Sequence, residues 1–290
     1  MEMYTGVKIV ESTKEIVEGL YKDKQVEIWD NRYSFYQNMY VVVKEMGGTQ
    51  SALTRVEGTK LVLLSDKLSA SGIHPKNKEQ RMAMDSLLND KIPVVCLTGR
   101  AGTGKTMITL AAALQKVEDK EYDKIIIAKP TSQVGKRDLG ILPGDISDKI
   151  NPYLSNYQCN IEQIIKLSGK KKSIRMSEMG EIFEAYNIEV VPLQLIRGAS
   201  WVNTFIIIDE MQVCDYHETA TIGTRVGEGS KIVILGDLNQ RDEKITKEKT
   251  GLYKFINDEK AKNSPLVSSI ELIKSERGPV SALFADIFEV

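Results

Sequence analysis

Residues 99–106 have the sequence GRAGTGKT, in which glycines, a lysine and a threonine stand at the spacing needed to bind a nucleoside triphosphate. An apolar run from Ile92 to Thr98 precedes this loop, and the helix-like residues 107–114 follow it. A strand that enters a glycine-rich turn and leaves as a helix directs backbone N–H groups towards an anion. We therefore predict that residues 99–106 form a phosphate-binding loop between a strand and a helix.

We expect the whole loop to contact the nucleotide, that is Gly99, Arg100, Ala101, Gly102, Thr103, Gly104, Lys105 and Thr106. Its glycines would let the backbone approach the phosphate oxygens closely. Lys105 would contact the β- and γ-phosphates, and the hydroxyl of Thr106 would bind Mg²⁺. The competing interpretation is a glycine-rich turn that matches by chance, and the flanking strand and helix argue against it.

A second apolar run, Phe205 to Ile208, ends in the carboxylates Asp209 and Glu210. Ligands of open α/β sheets bind at the carboxyl ends of the strands. We predict that Asp209 holds Mg²⁺ and that Glu210 orients and deprotonates the attacking water. Solvated acids at an ordinary strand end are the alternative, which the nearby loop disfavours.

A third apolar run, Lys231 to Leu235, is followed by GDLNQ at 236–240. Gln240 is placed to contact the γ-phosphate or the attacking water, so we include it among the catalytic candidates. A plain turn stabilised by the side chain of Asp237 is the alternative at this position.

The elements that must position these residues alternate along the chain. We predict strands at 92–98, 124–128, 205–209 and 231–235, and helices at 77–88, 106–118, 176–186 and 215–226. Strands separated by helices indicate a parallel sheet covered on both faces. Strands at 40–43, 52–56 and 60–64 indicate a β-meander before it. The expected organisation is an N-terminal extension (1–24), a small β subdomain (25–70) and an α/β domain (71–290).

The composition excludes several classes of protein. Hydrophobic residues make up 42% of the 290 residues, which is enough for a sizeable core, and the net charge of −1 gives no general argument for a nucleic-acid partner. The three cysteines and two histidines are not spaced as zinc ligands. The chain shows neither a signal-peptide pattern nor a long apolar segment, so we expect a cytoplasmic protein without a membrane span.

Taken together, DEMQ at 209–212, GDLNQ at 236–240 and the GKT of the loop resemble the core of superfamily 1 helicases, and more closely the PhoH-like ATPases. The resemblance covers residues 72–288 and includes LGILPGDISDKINPY at 139–153. It implies a P-loop NTPase with a RecA-like sheet that hydrolyses ATP with Mg²⁺. Longer members carry a PIN-type nuclease domain ahead of a β segment. We expect no nuclease activity here, because the residues before 72 leave no room for such a domain.

The resemblance also assigns roles to three residues outside the strand ends. Gln80 stands where a glutamine contacts adenine, and Arg277 stands where an arginine stabilises transition-state charge. Arg197 is a candidate second contact to phosphate or nucleic acid. A surface glutamine, a solvated arginine and a structural salt bridge are the respective alternatives.

This chain departs from the pattern of the family at four places: Val213, Lys129, Lys136–Arg137 and Gly278. The family has Asn, Arg, an acid and His at the corresponding positions. The phosphate chemistry does not depend on these positions. The coupling of hydrolysis to movement along a polymer is what the departures put in doubt.

Candidates for a nucleic-acid surface come from a basic segment and from the residues after the second core strand. The segment contains Lys166, Lys170, Lys171, Lys172 and Arg175, and the other candidates are Lys129, Thr131, Ser132, Tyr153 and Tyr157. Cations and hydroxyls can bind a phosphate backbone, and aromatic rings can stack on bases. A solvated loop and core aromatics are the alternatives.

Two functions follow from these observations. The first is an ATP hydrolase that acts on single-stranded RNA or DNA, as a homo-oligomer, with the hexameric ring that the family favours. Arg277 or Arg197 would then complete the site of a neighbouring subunit. The second is an ATP-dependent oligomeric switch that recruits a partner without translocation.

Overall fold

The computed structural model describes residues 3–29, 33–129, 146–169, 179–193, 200–240 and 246–288. Two β-sheets organise these residues, one of five strands and one of six. Within the described ranges, no helix is both long enough and apolar enough to cross a lipid bilayer.

The first sheet is formed by the N-terminal residues. Its strands are β1 (Val7–Ser12), β2 (Gln25–Glu27), β3 (Tyr40–Glu45), β4 (Ser51–Glu57) and β5 (Lys60–Leu63), in the spatial order β1-β3-β4-β5-β2. β1 runs parallel to β3, and the other neighbours are antiparallel. Helix α1 (Lys14–Asp23) packs buried Val17 and Leu20 into the core of this sheet. The predicted meander is present, and residues 7–23 extend it with a strand and a helix.

The second sheet is parallel throughout and carries the predicted motifs. Its strands are β6 (Val94–Gly99), β7 (Lys124–Lys129), β8 (Ile188–Pro192), β9 (Thr204–Ile208), β10 (Lys231–Gly236) and β11 (Val267–Leu272), in the order β11-β6-β10-β9-β7-β8. The helices are α2 (Lys78–Leu88), α3 (Lys105–Glu118), α4 (Ile146–Leu167), α5 (Met179–Ala185), α6 (Tyr216–Gly223), α7 (Gly251–Asn257), α8 (Glu259–Asn263) and α9 (Pro279–Phe288). The predicted α/β fold with a parallel sheet is confirmed.

Helices cover both faces of this sheet because successive residues of its strands enter different cores. Val233 and Leu235 of β10 pack with α2, α3 and α4 in one hydrophobic cluster. Ile232 and Ile234 pack on the other face, with residues of α6 and α7. A strand buried on both faces is a near-continuous apolar run, which is why its sequence was recognisable.

The small sheet is attached to the edge strand β11 and to α2. The amide of Glu271 donates to Thr5 O at 3.0 Å, and the side-chain amide of Asn38 donates to Pro265 O at 2.8 Å. The hydroxyl of Tyr40 donates to Asp85 Oδ2 at 2.8 Å. A short sheet of this kind needs a partner for its apolar face, and Tyr40 and Val42 of β3 pack in the same hydrophobic cluster as residues of α2.

Candidate nucleotide-binding site

The predicted phosphate-binding loop connects β6 to α3. Gly102 and Gly104 adopt φ values of +83° and +91°, a left-handed region that glycine enters without a steric penalty. The hydroxyl of Thr103 donates to Arg100 O at 2.9 Å and tightens the turn. Helix α3 begins at Lys105, so its first amide groups follow the glycines directly, as the sequence predicted.

A cavity of about 500 Å³ lies at the carboxyl edge of the sheet, beside this loop. Its lining includes most of the predicted site residues: Ala101, Gly102, Gly104, Lys105, Thr106, Asp209, Glu210 and Gln240. Gly99, Arg100, Thr103, Gln80 and Arg277 do not line it. The structure thus brings the loop lysine and threonine together with both carboxylates across one cavity.

Lys105 is held by the loop itself. Its Nζ donates to Gly99 O at 2.6 Å and to Arg100 O at 3.0 Å. Burial lowers the pKa of Lys105, whereas the nearby carboxylates, Asp237 foremost, oppose that shift. The ammonium group therefore combines bonds to backbone carbonyls with a position at a cavity that contains negative charge.

Asp209 follows β9 and accepts two hydrogen bonds. The hydroxyl of Tyr157 donates to its Oδ2 at 2.8 Å, and the amide of Glu210 donates to its Oδ1 at 3.0 Å. Burial, and next the charge of Glu210, raise the pKa of Asp209, while Tyr157 and Lys129 oppose the rise. Burial, followed by the charge of Asp209, also raises the pKa of Tyr157, so its hydroxyl stays protonated and can donate.

Glu210 adopts a left-handed conformation with φ of +59°, which is uncommon for a residue with a side chain. Gln212 Nε2 donates to Glu210 Oε2 at 2.7 Å, and Lys129 Nζ lies 3.6 Å from Oε1. Gln212 Oε1 also accepts the amide of Asp237 at 3.0 Å. Buried Gln212 thus links the ends of β9 and β10, a role that the DEMQ motif did not predict.

The polar turn after β10 shows both predicted features, a turn stabilised by Asp237 and a Gln240 that lines the cavity. Asp237 Oδ1 accepts the amide of Asn239 at 2.9 Å, and the amide of Gln240 donates to Asp237 O at 3.0 Å. The turn at Asp237 therefore forms, and it leaves Gln240 exposed at the cavity.

Gln80 lies on α2 behind the loop. Its Oε1 accepts the amide of Lys76 at 2.9 Å, and its Nε2 donates to Thr103 O at 3.0 Å. A Cβ added at Gly104 would lie 2.8 Å from Gln80 Nε2, so the glycine is needed for this close approach. The side-chain amide predicted to contact adenine thus joins α2 to the loop.

Arg277 lies against the loop of its own chain. The amide of Glu276 donates to Gly102 O at 2.9 Å, and Asn77 Nδ2 donates to Glu276 Oε1 at 2.8 Å. A Cβ added at Gly102 would lie 2.3 Å from Arg277 Cγ. The segment after β11 therefore packs on the phosphate-binding loop, and its contact through Glu276 had no signal in the sequence.

Comparison with known proteins settles the family. The family described as PhoH-like protein matches residues 72–289. Protein PhoH2 of Bacillus subtilis strain 168 is 38% identical over 295 aligned positions, which cover 99% of this chain and 64% of the relative. This chain belongs to the PhoH-like family.

Two further comparisons accompany this assignment. Protein PhoH2 of Mycolicibacterium smegmatis is 31% identical over 288 positions, covering 99% of this PhoH-like chain and 63% of that relative. Among solved structures, the Pif1 helicase from Candida albicans is similar over 75% of this chain and 44% of that chain, with a TM-score of 0.37 and 16% identity. The chain spans less than two thirds of the length of both PhoH2 relatives.

Several predicted nucleic-acid contacts of this PhoH-like chain lie outside the described residues, namely Lys170, Lys171, Lys172, Arg175, Arg197, Thr131 and Ser132. Lys136 and Arg137 lie there as well. Tyr153 falls within α4, in a part whose side chains the structure does not describe. Tyr157 is buried among core residues rather than exposed for stacking on a base, because its ring belongs to the core face of α4.

Proposed function

We propose that this chain is a Mg²⁺-dependent ATP hydrolase with a helicase-like core that acts on, or is regulated by, single-stranded RNA or DNA. The observation that carries the proposal is the convergence of four groups on one cavity. Lys105 and Thr106 come from the loop, and Asp209 and Glu210 come from the end of β9. Membership of the PhoH-like family supports the same conclusion.

The residues present fit a magnesium nucleotide. The two left-handed glycines and the start of α3 form a concave surface of amide groups, which suits a triphosphate. The hydroxyl of Thr106 and the carboxylate of Asp209 are oxygen ligands of the kind Mg²⁺ prefers. When bound, Mg²⁺ neutralises phosphate charge and orients the reacting groups.

Glu210 is the group we assign to proton abstraction from the attacking water. Gln212 and Lys129 hold its two carboxylate oxygens at the edge of the cavity. Gln240, exposed at the same cavity, is positioned to contact that water or the γ-phosphate.

Two cations neutralise the charge that develops on the phosphates. Lys105 would exchange its bonds to the carbonyls of Gly99 and Arg100 for bonds to phosphate oxygens. Arg277 packs on Gly102 of the same chain, so we propose that it acts within its own subunit rather than in a neighbour. Gln80 would contribute by holding the loop, and its contact with adenine stays a prediction.

The nucleic-acid part of the proposal is supported by the course of α4. Tyr157 and Asn160 of this helix line the nucleotide cavity, and the helix ends at Leu167, just before the basic residues 170–175. A ligand bound to the basic residues would therefore contact a segment continuous with a wall of the cavity.

The family tendency towards hexameric rings extends the proposal to a homo-oligomer.

The test is the rate of ATP hydrolysis by the purified chain and by Glu210→Gln, with and without single-stranded RNA and DNA at two salt concentrations. Glu210→Gln should bind nucleotide and lose turnover by about 10²–10⁴-fold, the usual contribution of a general base. The matched control is Glu189→Gln. Glu189 lies in β8 and forms an ion pair at 2.9 Å with Lys124, the first residue of β7, and neither residue lines the cavity.

Stimulation by single strands that fades with salt is expected, because phosphate contacts release counterions. Normal hydrolysis by Glu210→Gln would contradict the assigned base. An absence of stimulation together with ATP-dependent assembly, measured as particle mass, would favour the switch without translocation.

A further inference from the structure

A hydrogen bond joins Asp209, the predicted metal ligand, to Tyr157. Tyr157 belongs neither to the phosphate-binding loop nor to the motifs at the strand ends. Tyr157 belongs to α4, in the long connection between β7 and β8. Its hydroxyl donates to Asp209 Oδ2 at 2.8 Å. We propose that Tyr157 is a positioning residue that orients the carboxylate of Asp209 for Mg²⁺, an inference that rests on the proposed metal role of Asp209.

The core of the protein fixes the position of this hydroxyl. Tyr157, Ile161, Ile164 and Ile165 are spaced along one face of α4 and are all buried. They pack in the same hydrophobic cluster as Leu110 and other residues of α3. Since α3 begins at the phosphate-binding loop, the core that buries this face of α4 also includes the helix that carries Lys105 and Thr106.

The two hydrogen bonds to Asp209 restrict the orientation of its carboxylate and leave acceptor positions on both oxygens. Oδ2 accepts from Tyr157, and Oδ1 accepts from the amide of Glu210. An ionised carboxylate has about four lone-pair positions, so each oxygen keeps one for a metal-bound water or the metal itself. Asp209 lines the cavity, which places these acceptors beside the loop.

A ligand carboxylate fixed by a neighbouring donor binds its metal more tightly than a free one. Loss of such a partner lowers metal affinity by about 10–100-fold. The hydroxyl of Tyr157 supplies this donor, whereas its ring supplies packing. Tyr157→Phe removes the first and keeps the second, so the two roles can be separated.

The experiment measures the Mg²⁺ concentration that gives half-maximal binding of a fluorescent, non-hydrolysable ATP analogue. The proteins compared are the wild type, Tyr157→Phe, Asp209→Asn and the control Tyr40→Phe. Tyr40 is a fair control because its buried hydroxyl donates to Asp85 at the same distance of 2.8 Å, and neither residue lines the cavity. Thermal unfolding of each variant verifies that it is folded.

We expect Tyr157→Phe to raise the Mg²⁺ midpoint about tenfold, with binding in excess EDTA changed by less than about twofold. Tyr40→Phe should leave the midpoint unchanged. An unchanged midpoint in Tyr157→Phe, with a raised midpoint in Asp209→Asn, would overturn the positioning role and leave the proposed function intact. Unchanged midpoints in both variants would show that Asp209 is not a metal ligand, and the proposed function itself would then fail.

Discussion

Lys105 and Lys231 lie at opposite edges of the six-stranded sheet, and burial lowers the pKa of each. At the carboxyl edge, Lys105 bonds to carbonyls of its own loop and faces a cavity lined by carboxylates. At the amino edge, Lys231 begins β10 and donates to Ser86 O at 3.0 Å and Asn89 O at 2.8 Å. In the proposed function the first lysine exchanges its partners for a ligand, whereas the second caps the end of α2.

The surroundings of Lys231 explain why that edge has a structural role. Neighbouring Lys116 forms ion pairs with both Asp90 and Glu121, so the acids nearby already have a partner. A lysine near the end of a helix also interacts favourably with the carbonyls there. We therefore propose that similar burial of the same residue type serves phosphate binding at one edge of the sheet and a helix cap at the other.

The largest effect that would sharpen this comparison is expected for Lys105→Ala. The variant should lose about 100-fold or more in nucleotide affinity, because hydrogen bonds to charged groups contribute about 1.5–3 kcal/mol each. Its free energy of unfolding should change little, since burial opposes the charge of Lys105 in the folded state. Calorimetric titration and urea denaturation measure the two quantities.

The control for that variant is Lys166→Ala, because Lys166 is an exposed lysine of α4 that pairs with Glu162 at 3.9 Å. It should bind nucleotide like the wild type. If Lys105→Ala also bound like the wild type, the assignment of Lys105 to the phosphates would be wrong.

A smaller effect, on the other quantity, is expected for Lys231→Met. This variant should change the free energy of unfolding and leave nucleotide affinity unaltered. Burial lowers the pKa of Lys231 to about 7, so between about pH 7 and 10.5 the unfolded chain binds the proton that the folded chain has lost. The stability of the wild type should therefore rise with pH, relative to the variant, by up to roughly 1.4 kcal/mol per pH unit. Urea denaturation at pH 7, 8 and 9 measures the difference.

Lys262→Met is the matched control for this pH series. Burial disfavours the charge of Lys262, but its interactions with Glu259 and Tyr36 outweigh that effect and raise its pKa. Both states of the wild type are then protonated at this lysine up to pH 9, and no extra slope is expected. Equal slopes for the wild type and Lys231→Met would show that Lys231 keeps its proton in the folded state.

Sequence alone predicted the strands that contain a continuous apolar run. The strands β6, β7, β9 and β10 were predicted to within two residues at each end, because a strand buried on both faces has a continuous apolar run. β11 was missed, since Ser268 and Ser269 interrupt its pattern although both are buried. The amide of Glu271 in this strand bonds to Thr5, a contact that depends on distant residues.

The candidate site divides in the same way. The loop and the strand-end carboxylates are local motifs, so their common cavity could be anticipated. The partners that hold them are separated from them in sequence: Tyr157 stands 52 residues from Asp209, and Gln80 stands 23 residues from Thr103. For Tyr157 the sequence left two positions open, a stacking surface and the core, because it does not show which element covers α4.

The most direct test of the central claim is a crystal structure with Mg²⁺ and a non-hydrolysable ATP analogue. We expect the triphosphate in the cavity beside the loop, with Lys105 Nζ moved from the carbonyls of Gly99 and Arg100 to phosphate oxygens. Mg²⁺ should lie about 2.1 Å from the hydroxyl of Thr106 and contact Asp209 directly or through one water. A nucleotide bound elsewhere, or a metal remote from both Thr106 and Asp209, would contradict the account.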